Sequence, residues 1–221
     1  MTMNNHSTTK KLVQPRPLIV LGSFRGGTSA TCGVLRELGV FVGRRFWHCS
    51  YQTFEAIGLR SCIDKCFDCG DDQWRHLGDH RTRVEKLQRW IRFAKQEAVS
   101  KDHHGVGGKH PLMCMLVDEL AEAWQGDDGR PPLFISVIRP AEEVLSSWDR
   151  AMRENGWFPR KDRQRMVHDL IRNRDKSLEH HDHIRFEFAA LRKDPRRAIT
   201  ELANHCGLPL DNLHKAIDFV S

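Results

Sequence analysis

Residues 18–38 read LIVLGSFRGGTSATCGVLREL, and this stretch indicates the class of fold. Four apolar residues, Leu18–Leu21, predict a buried β-strand, and the glycine-rich run 22–27 predicts a tight loop. Apolar residues then follow at helical spacing until Gly39, a residue typical of helix C-termini. Backbone N–H groups of such a loop point inward, and the helix N-terminus adds a positive dipole end. A strand, a phosphate-binding loop and a helix are therefore expected.

The strand–helix pattern recurs along the chain. Further β-like runs occupy Gly105–Lys109, Leu133–Ile138 and His183–Phe188. The helical patterns that follow them occupy Pro111–Trp124, Pro140–Met152 and Asp194–Cys206. Strands that alternate with helices predict a parallel sheet covered by helices, so we expect a three-layer α/β fold of the P-loop type.

Two more helical stretches lie between the first and second predicted strands, at Thr53–Asp64 and His80–Val99. They are too long for a simple connection, so we expect a helical insert over about residues 44–103 that caps the site. The remaining organisation is a single α/β domain over residues 18–221 and a flexible N-terminal tail over residues 1–17.

The composition of the 221 residues fits a soluble globular protein, with 39% hydrophobic and 29% charged residues. Net charge is +6, and the 35 basic residues are spread among 29 acidic ones. Charge alone does not decide between nucleic acid and a small polyanionic cofactor as the partner. We expect the cofactor and no nucleic acid. The apolar runs are far shorter than the ~20 residues of a membrane span. A polar N-terminus and seven scattered cysteines indicate a cytoplasmic protein.

The loop after the first strand has the frame of a phosphate loop: Gly22, four residues, Gly27, then the hydroxyl pair Thr28 and Ser29. An ATP-binding loop places a lysine where Thr28 stands, and that lysine manages the β- and γ-phosphates. Here the cation lies upstream, at Arg25. The loop is therefore better suited to a donor with a single phosphate at its reactive end, although an ordinary glycine-rich turn is the alternative.

A second candidate for phosphate binding follows the third predicted strand. Arg139 stands at the strand end, and Ser147 follows eight residues later on the next helix. An arginine fork and a hydroxyl group can converge there on one phosphate. A helix-capping arginine and a surface serine are the alternative.

Both segments resemble the nucleotide-binding motifs of sulfotransferases that use 3′-phosphoadenosine 5′-phosphosulfate (PAPS). Their loop in bacterial members reads roughly Pro-Arg-Ser-Gly-Thr-Ser, and Gly26 stands here in place of the serine. The resemblance covers roughly residues 17–210. It implies that the 5′ end of PAPS is bound by Arg25, Gly26, Gly27, Thr28 and Ser29, and that its 3′-phosphate is bound by Arg139 and Ser147. Many relatives carry a further basic element beyond this region, which is not recognisable here.

The chemistry implied by the resemblance is sulfuryl transfer to a hydroxyl or amine of a small-molecule, sugar or lipid acceptor. Arg25 would stabilise the leaving phosphate. His110 is the expected general base, since it follows a predicted strand and an imidazole titrates near neutral pH. Lys109 would neutralise the bridging or sulfuryl oxygens. Glu55 is the competing base and His48 a weaker one, while His110 could instead only cap the next helix.

Other functions stay open at this point. The first is a P-loop kinase of a nucleoside or metabolite, and the second is a non-catalytic protein that binds PAPS or its product, 3′-phosphoadenosine 5′-phosphate (PAP). Cys62, Cys66 and Cys69 have the spacing of an iron–sulfur loop, but they fall near a predicted helix. We therefore expect no metal.

Overall fold

The computed structural model describes residues 16–46, 53–68, 74–155 and 162–221. The strands, in chain order, are β1 Leu18–Leu21, β2 Val40–Phe41, β3 Phe67–Asp68, β4 Arg75–His76, β5 Gly105–Lys109, β6 Leu133–Ile138 and β7 His183–Glu187. The helices are α1 Thr28–Glu37, α2 Ile57–Asp64, α3 His80–Ser100, α4 Val117–Asp128, α5 Ala141–Asn155, α6 Arg163–Leu178, α7 Phe188–Lys193, α8 Pro195–Cys206 and α9 Leu213–Val220. A 3-10 helix, Pro111–Met115, precedes α4.

The main sheet has five parallel strands in the order β2-β5-β1-β6-β7. Strand β1 lies in the middle, and its Leu18 is in register with Gly107 on one side and Leu133 on the other. Parallel strands end at the same edge, so the segments that follow β1, β5, β6 and β7 meet there. The predicted parallel sheet is confirmed.

Helices cover both faces of this sheet. Strand β1 shows the consequence, because Ile19 and Leu21 pack into one core while Leu18 and Val20 pack into the other. All four side chains are fully buried, which explains why the strand is apolar throughout instead of alternating with polar residues. The three-layer α/β architecture predicted from the sequence is confirmed.

Several predicted boundaries were wrong for physical reasons. The helix expected over Thr53–Asp64 begins only at Ile57, since Ala56 forms a β-bridge with Phe46 and Phe54 has a left-handed backbone with φ of 52°. The helix expected from Pro111 begins as the 3-10 helix and becomes α-helical at Val117.

The segment expected to cap the site contains α2, the antiparallel pair β3–β4, and α3. Helix α3 packs against α4 as part of one helical layer, with Leu87 and Trp90 in the shared core. The insert reaches the edge where the strands end through Thr53 and Glu55, which precede α2.

Helices α6 and α9 were not predicted, because they fall outside the strand–helix units recognised in the sequence.

At the N-terminus, Arg16 and Pro17 are bonded to the domain although they were assigned to the tail. Arg16 forms an ion pair with Asp182, and the carbonyl of Pro17 accepts from the N–H of Leu133 at 2.8 Å. Residues 1–15 lie outside the described part of the chain. Among the described helices, none combines the length and apolar character that crossing a membrane requires.

Candidate functional site

The loop between β1 and α1 is a tight turn whose shape depends on two glycines. The N–H of Gly26 donates to the carbonyl of Ser23 at 3.0 Å, and a Cβ on Gly26 would lie 2.9 Å from that oxygen. Gly27 has φ of 90° and precedes the first turn of α1. The predicted strand, loop and helix are therefore present, and a side chain at Gly26 would force the loop backbone to shift.

Arg25 joins the two predicted phosphate motifs. Its Nε donates to Oγ of Ser147 at 3.2 Å, and its carbonyl oxygen accepts from Nη1 of Arg139 at 2.8 Å. Nε of Arg139 also donates to the exposed Glu143 at 3.3 Å. Ser147 and Arg139, which lie 122 and 114 positions after Arg25 in the sequence, thus meet it at the loop.

These residues line a cavity of about 220 Å³ at the edge where the strands end. The predicted site residues in its wall are Arg25, Gly27, Thr28, Ser29, Glu55, Lys109, Arg139 and Ser147. The wall also contains residues that sequence analysis did not select, namely Phe24, Ala30, Thr53, Pro111 and Phe188. Gly26 and His110 are not part of this wall.

Lys109 and Glu55 form a buried ion pair beside the loop. Nζ of Lys109 donates to Oε1 of Glu55 at 2.8 Å and to the carbonyl of Thr53 at 2.9 Å, and Oγ of Ser29 donates to the same carbonyl at 2.9 Å. Burial alone would raise the pKa of Glu55, but the positive charge of Lys109, with His110 and Arg60, outweighs it and lowers that pKa below its ordinary value. Glu55 is therefore ionised at neutral pH.

His110 is a helix cap in this structure. Its Nδ1 accepts from the N–H of Leu112 at 3.3 Å, at the start of the 3-10 helix, and its Nε2 lies 3.8 Å from Oε2 of Glu55. Burial is the largest influence and lowers the pKa of His110 to about 4, against the opposing attraction of Glu55. The ring is therefore neutral at pH 7, and the capping alternative describes its geometry.

A second cavity of about 610 Å³ adjoins the first. The two share Arg139, Ser147 and Phe188, and the second adds Glu142, Glu143, Ser146, Arg150 and Arg192. Arg150 was missed by sequence analysis, although it lies three residues after Ser147 on α5 and so on the same helix face. Arg192 comes from α7, and nothing in the sequence pattern pairs that short helix with α5.

The ring of Phe188 lies at the junction of these cavities. A Cβ on Gly27 would be 2.4 Å from this ring, and the guanidinium carbon of Arg139 is 5.0 Å from its centroid. Phe188 also lines a third cavity of about 280 Å³, whose wall includes Phe54, Leu191 and Phe219. Sequence analysis placed Phe188 at the end of a strand, and the structure places it in the first turn of α7.

The described residues contain no group of three or more His, Cys, Asp or Glu side chains arranged to hold a metal ion. Sγ of Cys62 lies 3.2 Å from the carbonyl of Lys86, and Sγ of Cys66 lies 3.4 Å from the carbonyl of Cys62. Burial raises the pKa of the Cys62 thiol to about 12. Cys69 and His48, which also belonged to candidate sites, lie outside the described residues.

Comparison with known proteins gives distant likenesses. No protein-family model matches the chain, and no curated protein matches it. Among solved structures, it is similar to a sulfotransferase domain of the Synechococcus PCC 7002 olefin synthase, with 14% identity, a TM-score of 0.47, and 90% of this chain and 76% of the other covered. It is also similar to a deoxyadenosine kinase from M. mycoides, with 10% identity, a TM-score of 0.40, and 86% and 98% covered.

Proposed function

We propose that this protein is a sulfotransferase that moves a sulfuryl group from PAPS to a hydroxyl or amine of a small-molecule, sugar or lipid acceptor. The observation that carries the proposal is the position of Arg25. This residue of the loop is hydrogen-bonded to both Ser147 and Arg139, so the two candidate phosphate motifs line one continuous site. A nucleotide with phosphate groups at two positions fits such a site better than one with a single phosphate chain.

The two adjoining cavities support this choice of donor. The smaller one offers the loop N–H groups and Arg25, which suit the 5′-phosphosulfate. The larger one brings Arg150 and Arg192 beside Arg139, and guanidinium groups suit a phosphate monoester. In this proposal Arg150 and Arg192 bind the 3′-phosphate together with Arg139, and they take the place of the basic element that relatives carry further along the chain.

The reaction would proceed by direct displacement at sulfur. A bond forms between the acceptor oxygen and the sulfur atom, and the bond from sulfur to the bridging oxygen of the 5′-phosphate breaks. The electron pair of that bond remains on the bridging oxygen, which leaves as part of PAP. Arg25 and the loop N–H groups stabilise this developing negative charge, and Thr28 adds a hydroxyl donor.

The geometry favours Glu55 over His110 as the base that takes the acceptor proton. Glu55 is ionised at neutral pH and lines the cavity, whereas His110 is buried outside the wall and uses Nδ1 as a helix cap. We propose that Lys109 neutralises charge on the transferred group and holds the Glu55 carboxylate in place. His110 is then a positioning residue behind Glu55.

Two other functions make different demands on the same site. A nucleoside kinase would use a lysine inside the loop, where this chain has Thr28, so it is the weaker alternative. A non-catalytic protein that binds PAP would need the phosphate contacts but not the buried pair of Lys109 and Glu55. That pair lies in the cavity wall and favours an enzyme.

Calorimetry with PAP, ADP and AMP tests the donor. We expect tight binding of PAP without comparable binding of ADP, and a weakening of PAP binding by about 10-fold or more in Arg139→Ala, because a charge-assisted contact is lost. Arg197→Ala, at an exposed position of α8, is the matched control and should bind PAP normally. Equal binding of PAP and ADP would favour the kinase, and sulfuryl transfer from PAPS to a panel of acceptors separates an enzyme from a binding protein.

A further inference from the structure

A groove rich in basic side chains runs along the edge strand β2, apart from the site described above. It has a volume of about 480 Å³, and its floor is the stretch Val40–Gly43. The groove shares no lining residue with the three cavities around Phe188. It therefore belongs to a different surface of the domain.

The basic groups come from three separate parts of the chain. Arg36 lies in the last turn of α1, Arg44 and Arg45 follow β2, and Lys101 and His103 lie between α3 and β5. Among the described residues that line the groove, none is acidic. Four full positive charges thus surround one depression, while over the whole chain 35 basic residues are mixed with 29 acidic ones.

The ion pairs around the groove leave it able to accept an anion. Arg36 pairs with Glu37 at 2.7 Å and Arg44 pairs with Glu97, and both arginines are about half exposed. The arginines face solvent, whereas Glu37 and Glu97 are only 22% and 13% exposed, so a bound anion would contact the arginines without breaking these pairs. Arg45 and Lys101 are exposed, and within the described ranges their side chains form no ion pair.

We propose that this groove binds a small polyanion that carries two or more phosphate or sulfate groups. Several anionic groups match the four full positive charges that line the groove. A compact ligand fits better than a nucleic acid, since the volume of the groove matches small-molecule sites. This assignment does not depend on the proposed sulfotransferase function.

The test is calorimetry with two probes, tripolyphosphate and sucrose octasulfate, which separate phosphate from sulfate as the preferred group. The double variant Arg45→Ala/Lys101→Ala should weaken binding of the preferred probe by about 10-fold or more. The double variant Arg81→Ala/Arg172→Ala removes two equally positive residues from other exposed surfaces and should change it by less than about twofold. Thermal unfolding confirms that each variant is folded.

Arg139→Ala distinguishes the groove from the candidate nucleotide site. It should leave tripolyphosphate binding at the groove intact, while the groove variant should leave PAP binding intact. The proposal is overturned if neither probe binds, if both double variants weaken binding equally, or if only Arg139→Ala weakens it. Tighter binding of a short single-stranded oligonucleotide, lost in the same groove variant, would overturn the choice of a small ligand in favour of nucleic acid.

Discussion

Nζ of Lys109 lies 2.8 Å from Oε1 of Glu55, and each side chain is about 95% buried. The two groups come from different parts of the chain, the end of β5 and the extended segment before α2. A buried charge without its partner is strongly unfavourable, so each residue depends on the other. This mutual dependence determines what substitutions at either position should do.

Replacing Glu55 by glutamine should remove the proposed base while keeping the size of the side chain. We expect PAPS turnover to fall by about 10²-fold or more, because general-base catalysis is lost. PAP binding should change little once the loss of stability from the unpaired Lys109 has been measured by urea denaturation. Glu201→Gln, at an exposed position of α8, serves as the control. If Glu55→Gln keeps its turnover while His110→Ala loses it, the base is His110 instead.

Replacing Lys109 by methionine should lower the free energy of unfolding of the protein. The carboxylate of Glu55 would remain buried without its main partner, and breaking a buried ion pair in this way costs about 3–5 kcal/mol. Urea denaturation measures the change. Adding Glu55→Leu to Lys109→Met should restore part of the loss, and a double variant that is less stable than the single one would contradict this account.

Stability should depend on pH through His110. Its folded pKa of about 4 lies below the ordinary value of 6.5, so between these values the unfolded chain binds more protons than the folded one. The neutral, buried His110 makes its full contribution to the free energy of unfolding above pH 6.5. This contribution, roughly 3 kcal/mol in total, is lost as the pH falls towards 4. Denaturation curves over this range should show the slope in the wild type, and His110→Asn, which can still cap the helix, should show less of it.

Gly26→Ser should weaken nucleotide binding although it introduces the residue that the similar loops of PAPS-dependent sulfotransferases carry. The new Cβ would lie 2.9 Å from the carbonyl oxygen of Ser23, so the loop backbone must shift. We expect PAP affinity to fall about 10-fold and stability by about 1–3 kcal/mol. Gly58→Ser, at a position with open space around it, should leave PAP binding unchanged. Unchanged or improved PAP binding in Gly26→Ser would mean that the loop adjusts freely.

Arg192→Ala should affect nucleotides according to their second phosphate. In our proposal Arg192 contacts the 3′-phosphate, so PAP binding should weaken by about 10-fold while AMP binding stays the same. Calorimetry with both ligands measures the difference, and Arg197→Ala should alter neither. If the binding of PAP and AMP weakened equally, Arg192 would act through the electrostatic potential of the whole site and not by contacting the 3′-phosphate.

The central fold could be predicted because its signals are local. Strands such as Leu18–Leu21 are short apolar runs bounded by glycine or proline, and the helix after the loop ends at a glycine. Strand β2 could not be found, since it consists of two residues held only by pairing with β5. The extended stretch before Ile57 was mistaken for a helix because its bridge to Phe46 is a non-local contact.

The candidate site divides in the same way. The spacing of residues along one segment was enough to select the loop residues and the pair Arg139 and Ser147 as candidates, and they line one cavity, Gly26 excepted. Arg192 and Phe188 were missed, since their role arises only when the end of β7 is folded against α5 and the loop. A histidine at position 110 could have been either a general base or a helix cap. The hydrogen bond from the N–H of Leu112, which sequence patterns do not show, identifies it as a cap.

Phe188 has a consequence for how this protein could be altered by design or by evolution. Its ring packs against Gly27, lies under the guanidinium group of Arg139 and lines the third cavity, of about 280 Å³. A smaller residue there would enlarge three compartments together, whereas a side chain at Gly27 would both meet this ring and be strained by the left-handed backbone. A single substitution at position 188 should therefore change the shape of all three cavities at once.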